Sequence, residues 1–422
     1  MKTIILAAVL TVTAGFARAS LPLGRGEVSA SLAGTATYDS NVLGAHDATA
    51  DYFGTLAPRL MYVRKAGEIE ASANAGISLI RYLDQTQLNA DNVQADATLR
   101  IDESNIRNYT GLLSAAYLED STIDPDLNTR INSKTASFIG RTALVTGPRS
   151  DMALSGTYTD ARHSVGSNQQ ILTTEALYDY KNFFMGNSLR LVGAYDTLHS
   201  SGENSLGVPL DQRSYMLSTG LGRAVFHDTV RAGISYGYRI LERSAAETSN
   251  GQVRQDGAVV SATLEGPFLP EQYFPKVKSS FALIYQQANT PGINDVGGTT
   301  ELTGKLGLAW DARTNTKVTF TAERNQRLSV NDLSVVSTNV QLGLQQVLRH
   351  NLTGRLNAGY EWSSYRPLSR RDEIATFGAR LEYHFSRSWD TDLSYVLTSA
   401  TSTVRQSVFD RHVASLTVTY LF

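Results

Sequence analysis

Few residues in this 422-residue chain have the types and spacing that catalysis requires. Gly233–Gly237 reads GISYG, which fits the G-x-S-x-G pattern of a serine nucleophile. That pattern exposes its serine on a sharp turn between a strand and a helix. Here it lies inside VRAGISYGYRIL, where the residues alternate in polarity and neither a turn nor a helix is predicted. We therefore predict that Ser235 lies on the polar face of a strand and is not a nucleophile.

Metal chemistry has equally little support. The chain has no cysteine, which excludes disulfides, thiolate metal sites and a cysteine nucleophile. Asp124–Asn128 begins like a calcium-binding loop, but the sixth and twelfth positions are Thr129 and Thr135 instead of glycine and glutamate. We predict a solvated acidic loop there, with a loosely held divalent ion as the alternative. The seven histidines show no ligand spacing on one predicted strand: His46, His163, His199, His227, His350, His384 and His412. We expect no catalytic, metal or cofactor site.

The elements that carry these residues are predicted to be strands throughout. Alternating segments of roughly 9 to 15 residues follow one another along the chain, and such alternation indicates strands with one apolar face. One example is Leu302, Leu306, Leu308 and Trp310. Short connections, such as KAG near residue 65, take turns with longer polar ones, such as EDSTIDPDLNTRINSK. No helical period is sustained.

The first residues have the features of a cleaved secretory signal. Lys2 precedes the apolar stretch 4–13, and Ala17-Arg18-Ala19 provides a small-residue cleavage site. The apolar stretch is too short to anchor the chain in a bilayer. We predict a signal peptide over residues 1–19 and a single exported domain over residues 20–422.

The apolar face keeps the same character from the first strand to the last, as expected where every strand contacts lipid; a soluble sandwich would vary between edge and central strands. Aromatic residues gather at the predicted strand ends, as in the girdles of membrane barrels: Tyr62, Tyr109, Tyr117, Tyr195, Trp310, Trp362 and Trp389. We predict an all-β fold, a transmembrane antiparallel up-and-down β-barrel integral to the outer membrane of a Gram-negative bacterium. It would have roughly 16–20 strands (20 as the best count, then 18), short periplasmic turns and no plug domain.

The chain ends within a strand, HVASLTVTYLF, which resembles the C-terminal signature of outer-membrane barrels. The resemblance implies that Leu416, Val418, Tyr420 and Phe422 form a signal for the outer-membrane assembly machinery. In a closed barrel the last strand also pairs with the first, so that no strand edge is left open.

The strand positions that alternate with the apolar ones, here called the opposite parity, include charged residues of both signs. We predict that these residues line a polar lumen. The candidate lumen-lining residues are Arg100, Arg141, Arg190, Arg231, Arg239, Lys305, Arg355, Arg380, Glu301, Glu323, Glu361 and Glu382. No connection is expected to be long enough to fold inward, so any narrowing would come from Arg190, Arg231 and Arg355. The formal net charge of −2 argues against nucleic acid as a partner.

Residues 37–73 resemble the opening hairpin of the putative β-barrel porins often associated with exopolysaccharide gene clusters. The matching elements are Tyr38-Asp39-Ser40-Asn41-Val42, Leu56-Ala57-Pro58-Arg59-Leu60 and Gly67. The resemblance implies a barrel but carries no functional residues with it.

A polar passage for hydrophilic molecules is the function that this pattern favours, either porin-like diffusion or export of a polysaccharide. The expected partners are membrane lipid, lipopolysaccharide, the assembly machinery and, for export, polysaccharide-export components; the pattern leaves the oligomeric state open. A structural or surface-binding barrel, such as an adhesin or scaffold, is the alternative. An outer-membrane hydrolase stays open, because a Ser–His pair can be assembled from distant residues, but we expect a non-enzyme.

Overall fold

The computed structural model describes residues 21–102, 108–124, 129–202, 210–226, 229–244, 252–269, 276–287, 301–329, 334–366 and 369–422. The predicted signal peptide and residues 125–128 of the acidic loop lie outside the described residues.

The described residues form 21 strands and two 3₁₀ turns, Thr86–Leu88 and Arg405–Ser407. The strands are β1 (Leu21–Leu23), β2 (Gly26–Asp39), β3 (Asp51–Ala66), β4 (Ile69–Tyr82), β5 (Ala90–Ile101), β6 (Tyr109–Asp124), β7 (Thr129–Gly147), β8 (Ser150–His163), β9 (Ser167–Phe184), β10 (Asn187–Gly202), β11 (Leu210–Val225), β12 (Val230–Ser244), β13 (Gln252–Glu265), β14 (Val277–Gln286), β15 (Glu301–Arg313), β16 (Thr316–Leu328), β17 (Ser334–Arg349), β18 (Leu352–Arg366), β19 (Arg371–His384), β20 (Trp389–Ser402) and β21 (Phe409–Leu421).

Strands β2 to β21 close into one antiparallel barrel of 20 strands. Each pairs with its neighbour in chain order, and β21 pairs with β2 from Ser31 opposite Leu421 to Asp39 opposite Val413. The short β1 pairs with β2 alone, with Leu21 opposite Val28, and so lies directly beyond the end of β21. Closure satisfies the backbone hydrogen bonds that an open sheet edge would leave exposed.

The connections distinguish the two ends of the barrel. One end, here called the turn end, has tight turns such as residues 148–149, 185–186, 314–315 and 350–351. The other, the loop end, has longer connections such as residues 40–50 and 83–89. Short turns face the periplasm in outer-membrane barrels. Among the described residues, no helix combines the length and the apolar character needed to cross a bilayer.

The two faces of the wall differ as the alternation predicts. Gln169 Nε2 on β9 donates to the Ser329 carbonyl, which follows β16, at 3.0 Å. These strands lie seven positions apart in the wall, so the contact crosses the interior, and the face of Gln169 is the lumen face. The opposite face exposes large apolar side chains on nearly every strand, among them Leu302, Leu342 and Phe377. An outer surface with so many apolar side chains is the lipid-facing band of a membrane barrel.

Aromatic clusters lie at both ends of the lipid face. At the turn end the rings of Trp389 and Tyr420 are 4.8 Å apart, and at the loop end those of Tyr360 and Trp362 are also 4.8 Å apart. Amphipathic rings are favoured at the two membrane–water interfaces. The aromatic girdles predicted from the sequence thus have a structural counterpart.

Candidate functional site

The candidate site is the lumen face of the barrel, where ion pairs connect neighbouring strands. Arg190 Nη2 lies 3.0 Å from an Asp179 carboxylate oxygen, and Lys305 Nζ lies 3.1 Å from Glu323. Each pair joins adjacent strands in register. Since opposite charges facing each other across strands stabilise a sheet, these pairs neutralise the wall locally while keeping it polar.

Arg239 connects four strands. Its Nε donates to Ser214 Oγ on β11 at 2.6 Å, and its Nη1 donates to Gln286 Oε1 on β14 at 2.7 Å. Its Nη2 lies 3.7 Å from Asp196 on β10. The guanidinium therefore lies flat along the inner wall of β10–β14 and does not project across the lumen.

A second charge cluster lies near the turn end of β18–β20. Arg355 Nη2 is 3.0 Å from Glu382, Arg380 Nε is 3.1 Å from the same carboxylate, and Arg380 also pairs with Asp392. Two guanidinium groups face two carboxylates, so the cluster is balanced.

The remaining lumen-lining candidates are described by their ion pairs, hydrogen bonds or register partners on the neighbouring strands. Arg100 pairs with Asp102 at 2.6 Å. Glu361 accepts from Ser363 Oγ at 2.8 Å, and Glu301 is buried with Arg324 at 4.0 Å. Arg141 lies opposite Ser155 and Leu112, and Arg231 lies opposite Glu265 and Ala224.

Between these charges the wall of β16–β19 forms a shallow polar trough of about 460 Å³. Its floor includes two lumen-facing glycines, Gly343 and Gly359. A Cβ at Gly343 would lie 2.5 Å from Thr319 Oγ1, and one at Gly359 would lie 2.7 Å from Thr376 Oγ1, so neighbouring polar side chains lean over the bare backbone. Its hydrogen-bonding and basic side chains are Lys317, Thr319, Thr321, Gln341, Gln345, Arg355, Asn357 and Thr376.

At the loop end, residues 41–45 of the β2–β3 connection pack against the last residues of β6 and the first residues of β7. Val42 is fully buried, and its carbonyl accepts two hydrogen bonds from Arg130, from Nε at 3.2 Å and from Nη2 at 3.1 Å. Gly44 (φ +65°) approaches Ile123 so closely that a Cβ would lie 2.5 Å from its Cγ2. This connection is therefore held against the β6–β7 hairpin at the loop end.

The C-terminal strand completes the wall at the turn end. The Phe422 amide donates to the Ala30 carbonyl at 2.8 Å, and the Phe422 ring packs edge-on against Tyr420 with centroids 4.8 Å apart. Leu416 and Val418 lie opposite Ala36 and Gly34 on β2. The four residues of the predicted assembly signal therefore all lie in or directly after β21.

The serine and histidine side chains that were considered for catalysis or metal binding lie beside other polar side chains. Ser235 lies within β12, as predicted, and its Oγ is 2.6 Å from Ser261 Oγ on β13. His384 Nδ1 is 2.6 Å from Asp390, and Tyr395 Oη is 2.7 Å from His412 Nδ1. No group of three or more histidine, aspartate or glutamate side chains suited to a metal ion occurs in the described ranges.

Sequence reasoning missed the residues at the loop end. Arg130 and Ile123 have the parity of the lipid face but contact residues 41–45. They lie beyond both the last β5–β6 pair, Gln94 opposite Leu118, and the last β7–β8 pair, Ser133 opposite His163, where β6 and β7 pair only with each other. Two-stranded ribbons twist more than broad sheets, so parity does not predict direction there. The available signal was the apolar pair Val42 and Leu43 within a polar connection.

A model of the family described as "Putative beta-barrel porin 2" matches residues 284–422, about a third of the chain. This confirms the resemblance to a β-barrel porin family over a region different from residues 37–73, which suggested it. No curated protein sequence matches the chain.

Solved structures with the same fold include the FrpB iron transporter from Neisseria meningitidis (F5-1 variant; TM-score 0.57, 8% identity, 93% of this chain and 82% of that one). The ferric-catecholate import receptor Fiu from E. coli K12 has a TM-score of 0.54 at 8% identity, over 93% of this chain and 81% of that one. The siderophore receptor PiuA from Acinetobacter baumannii has a TM-score of 0.51 at 11% identity, over 93% and 82%.

These comparisons correct one element of the predicted fold. The structural neighbours are TonB-dependent receptors with plug domains, so the prediction of a barrel without a plug is wrong. The error arose because a wall of alternating strands carries no information about what occupies its interior. The chain is an integral outer-membrane β-barrel of 20 strands, and its residues 284–422 match a β-barrel porin family.

Proposed function

We propose that this barrel is a passage for hydrophilic solutes across the outer membrane, and that saccharides are the solute class its lumen suits best. The observation that carries the proposal is the trough of β16–β19. Hydroxyl and amide groups that can both donate and accept line it beside exposed backbone. Sugars present the same two kinds of group, so such a wall can replace their hydration.

The charge pattern supports a passage for neutral or weakly charged solutes. The inward basic groups Arg190 on β10, Arg239 on β12, Lys305 on β15, Arg355 on β18 and Arg380 on β19 have carboxylate partners within 4 Å. Charges paired in this way do not form a ring of one sign, which is the arrangement that selects ions. We propose that the protein is not an enzyme.

Diffusion into the cell and export of a polysaccharide both fit a saccharide passage. The family resemblance associates export with this kind of barrel, and polysaccharide-export components would then be partners, alongside lipopolysaccharide and the assembly machinery. An adhesin or scaffold requires no polar trough. Iron uptake, the activity in the names of the fold neighbours, has no support here beyond the fold.

Swelling of proteoliposomes in sugars of increasing size tests the passage. We expect swelling faster than in liposomes that contain heat-denatured protein. Planar-bilayer recordings then test the trough: oligosaccharide added to the bath should interrupt the current, and Gln345→Ala should shorten the interruptions.

The matched control for this variant is Gln346→Ala. Gln346 is the next residue on β17 and has the opposite parity, on the lipid face. Absence of both swelling and current would refute the passage. If the two variants change the interruptions equally, the saccharide-binding trough is refuted but the passage is not.

A further inference from the structure

The loop-end contacts point to a function for residues 41–45 that neither the family match nor the fold neighbours assign. Asp39 and Tyr82 are lumen-facing residues at the last positions of β2 and β4. Both are buried, with exposures of 0% and 6%. The groups that cover them therefore lie on the lumen side of the wall.

Arg411 on β21 covers the Asp39 carboxylate, with Nη2 2.6 Å from Oδ2, and Arg130 covers Tyr82. The Arg130 guanidinium carbon lies 5.7 Å from the centroid of the Tyr82 ring. The same guanidinium binds the Val42 carbonyl through Nε and Nη2, and its Nη1 donates to the Ser121 carbonyl at 2.6 Å. Arg130 thus joins the β6–β7 ribbon to the β2–β3 connection, above the β4–β5 hairpin that separates them.

The segment is also held internally. The Asn41 side chain donates to the Ala45 carbonyl at 2.8 Å and accepts from the Ala45 amide at 3.2 Å. The Asn41 amide donates to Asp39 Oδ1 at 3.0 Å. These bonds close a compact turn whose shape does not depend on Arg130.

We propose that residues 41–45 are a constriction segment that limits the size of solutes entering the passage, with Arg130 as the residue that holds it inward. The proposal rests on the proposed passage function. Without the guanidinium, the Val42 carbonyl would be buried without its charged donor, which destabilises the inward position. The segment would relieve that destabilisation by swinging outward into water.

The motif Tyr38-Asp39-Ser40-Asn41-Val42 acquires a physical meaning in this proposal. Asp39 and Asn41 shape the turn, and Val42 presents the carbonyl that Arg130 binds. Gly44 is required because its positive φ and its contact with Ile123 leave no space for a side chain.

Arg130→Ala is the direct test, measured as single-channel conductance and as the largest sugar that enters proteoliposomes. We expect a higher conductance and a shift of the size limit toward larger sugars. The control is Arg81→Ala, because Arg81 adjoins Tyr82 at the same end of the barrel but pairs with Asp91 on the lipid-face parity. This control should conduct as the wild type does.

Asn41→Ala provides a second test, because it loosens the segment without altering β7. Folding of each variant is checked by heat-modifiable migration. If the wild type conducts and the folded variants share its conductance and size limit, the constriction is refuted while the passage stands. A silent wild type with conducting variants supports a closed constriction. If the wild type and both variants are silent, the passage and the constriction are refuted together.

Discussion

Arg411 and Asp39 form a buried ion pair across the seam where the last strand of the barrel meets the first. Arg411 Nη2 lies 2.6 Å from Asp39 Oδ2, and Nε lies 3.0 Å from Oδ1. Asp39 is fully buried, and Arg411 retains partial exposure. The pair lies at the loop end of the seam, and the bond from Phe422 to Ala30 lies at its turn end, so both ends of the closure are fixed.

Asp39→Asn should lower the stability of the barrel. The change leaves Arg411 without a carboxylate in a site that excludes most water, and loss of such a charged hydrogen bond costs about 1–3 kcal/mol. Urea unfolding of the barrel in lipid vesicles measures the effect. The control is Asp160→Asn, because Asp160 pairs at 3.1 Å with the exposed Arg162, and exposed pairs contribute about 0–1 kcal/mol. Equal losses would show that the seam pair has no special role.

Deleting Phe422 should reduce the yield of folded barrel in the outer membrane. The deletion removes the backbone bond to Ala30 and the ring contact with Tyr420, and with them the end of the predicted assembly signal. The measurement is the heat-modifiable fraction in outer-membrane preparations. Phe422→Ser should have a weaker effect because it keeps the backbone bond. Phe385→Ser, at an exposed phenylalanine near the turn end, serves as the control. An unchanged yield of the deletion variant would contradict this role.

Adjacent residues on β15 should differ in their tolerance of substitution. Leu306 has lipid-face parity between Phe281 and Ala322, whereas Lys305 pairs with Glu323 on the lumen face. Leu306→Arg should cost about 2–4 kcal/mol, as a charge near the bilayer midplane does. Lys305→Gln loses only an exposed pair and should fold normally. Unfolding in vesicles compares the two, and equal stability would place this strand outside the membrane wall.

Strand alternation predicted the wall because lipid on one side and water on the other impose a period of two on every strand. The same rule fails where a strand leaves the sheet. Arg130 has lipid-face parity but lies over the lumen-facing Tyr82 ring and binds Val42, since beyond the last β5–β6 and β7–β8 pairs β6 and β7 pair only with each other. Arg411 was missed because its partner Asp39 is far away in sequence. Which residues meet across the closure depends on the register between β21 and β2, and the sequence does not give that register.

The lumen should show weak ion selectivity, and removing one carboxylate should shift it toward anions. Glu382 contacts both Arg355 and Arg380 near the turn end. In Glu382→Gln two guanidinium groups share the remaining Asp392 carboxylate, and their excess positive charge acts over a Debye length of about 8 Å at physiological salt. The reversal potential in asymmetric salt should therefore move toward the anion value. Glu373→Gln is the matched control, because Glu373 lies on the same strand with the opposite parity and accepts from Tyr360 at 2.5 Å. If the reversal potential shifts in both variants, or in neither, the charge cluster of β18–β20 does not determine ion selectivity. The charged groups at the loop end, Arg130 and Arg411, would then be the next candidates.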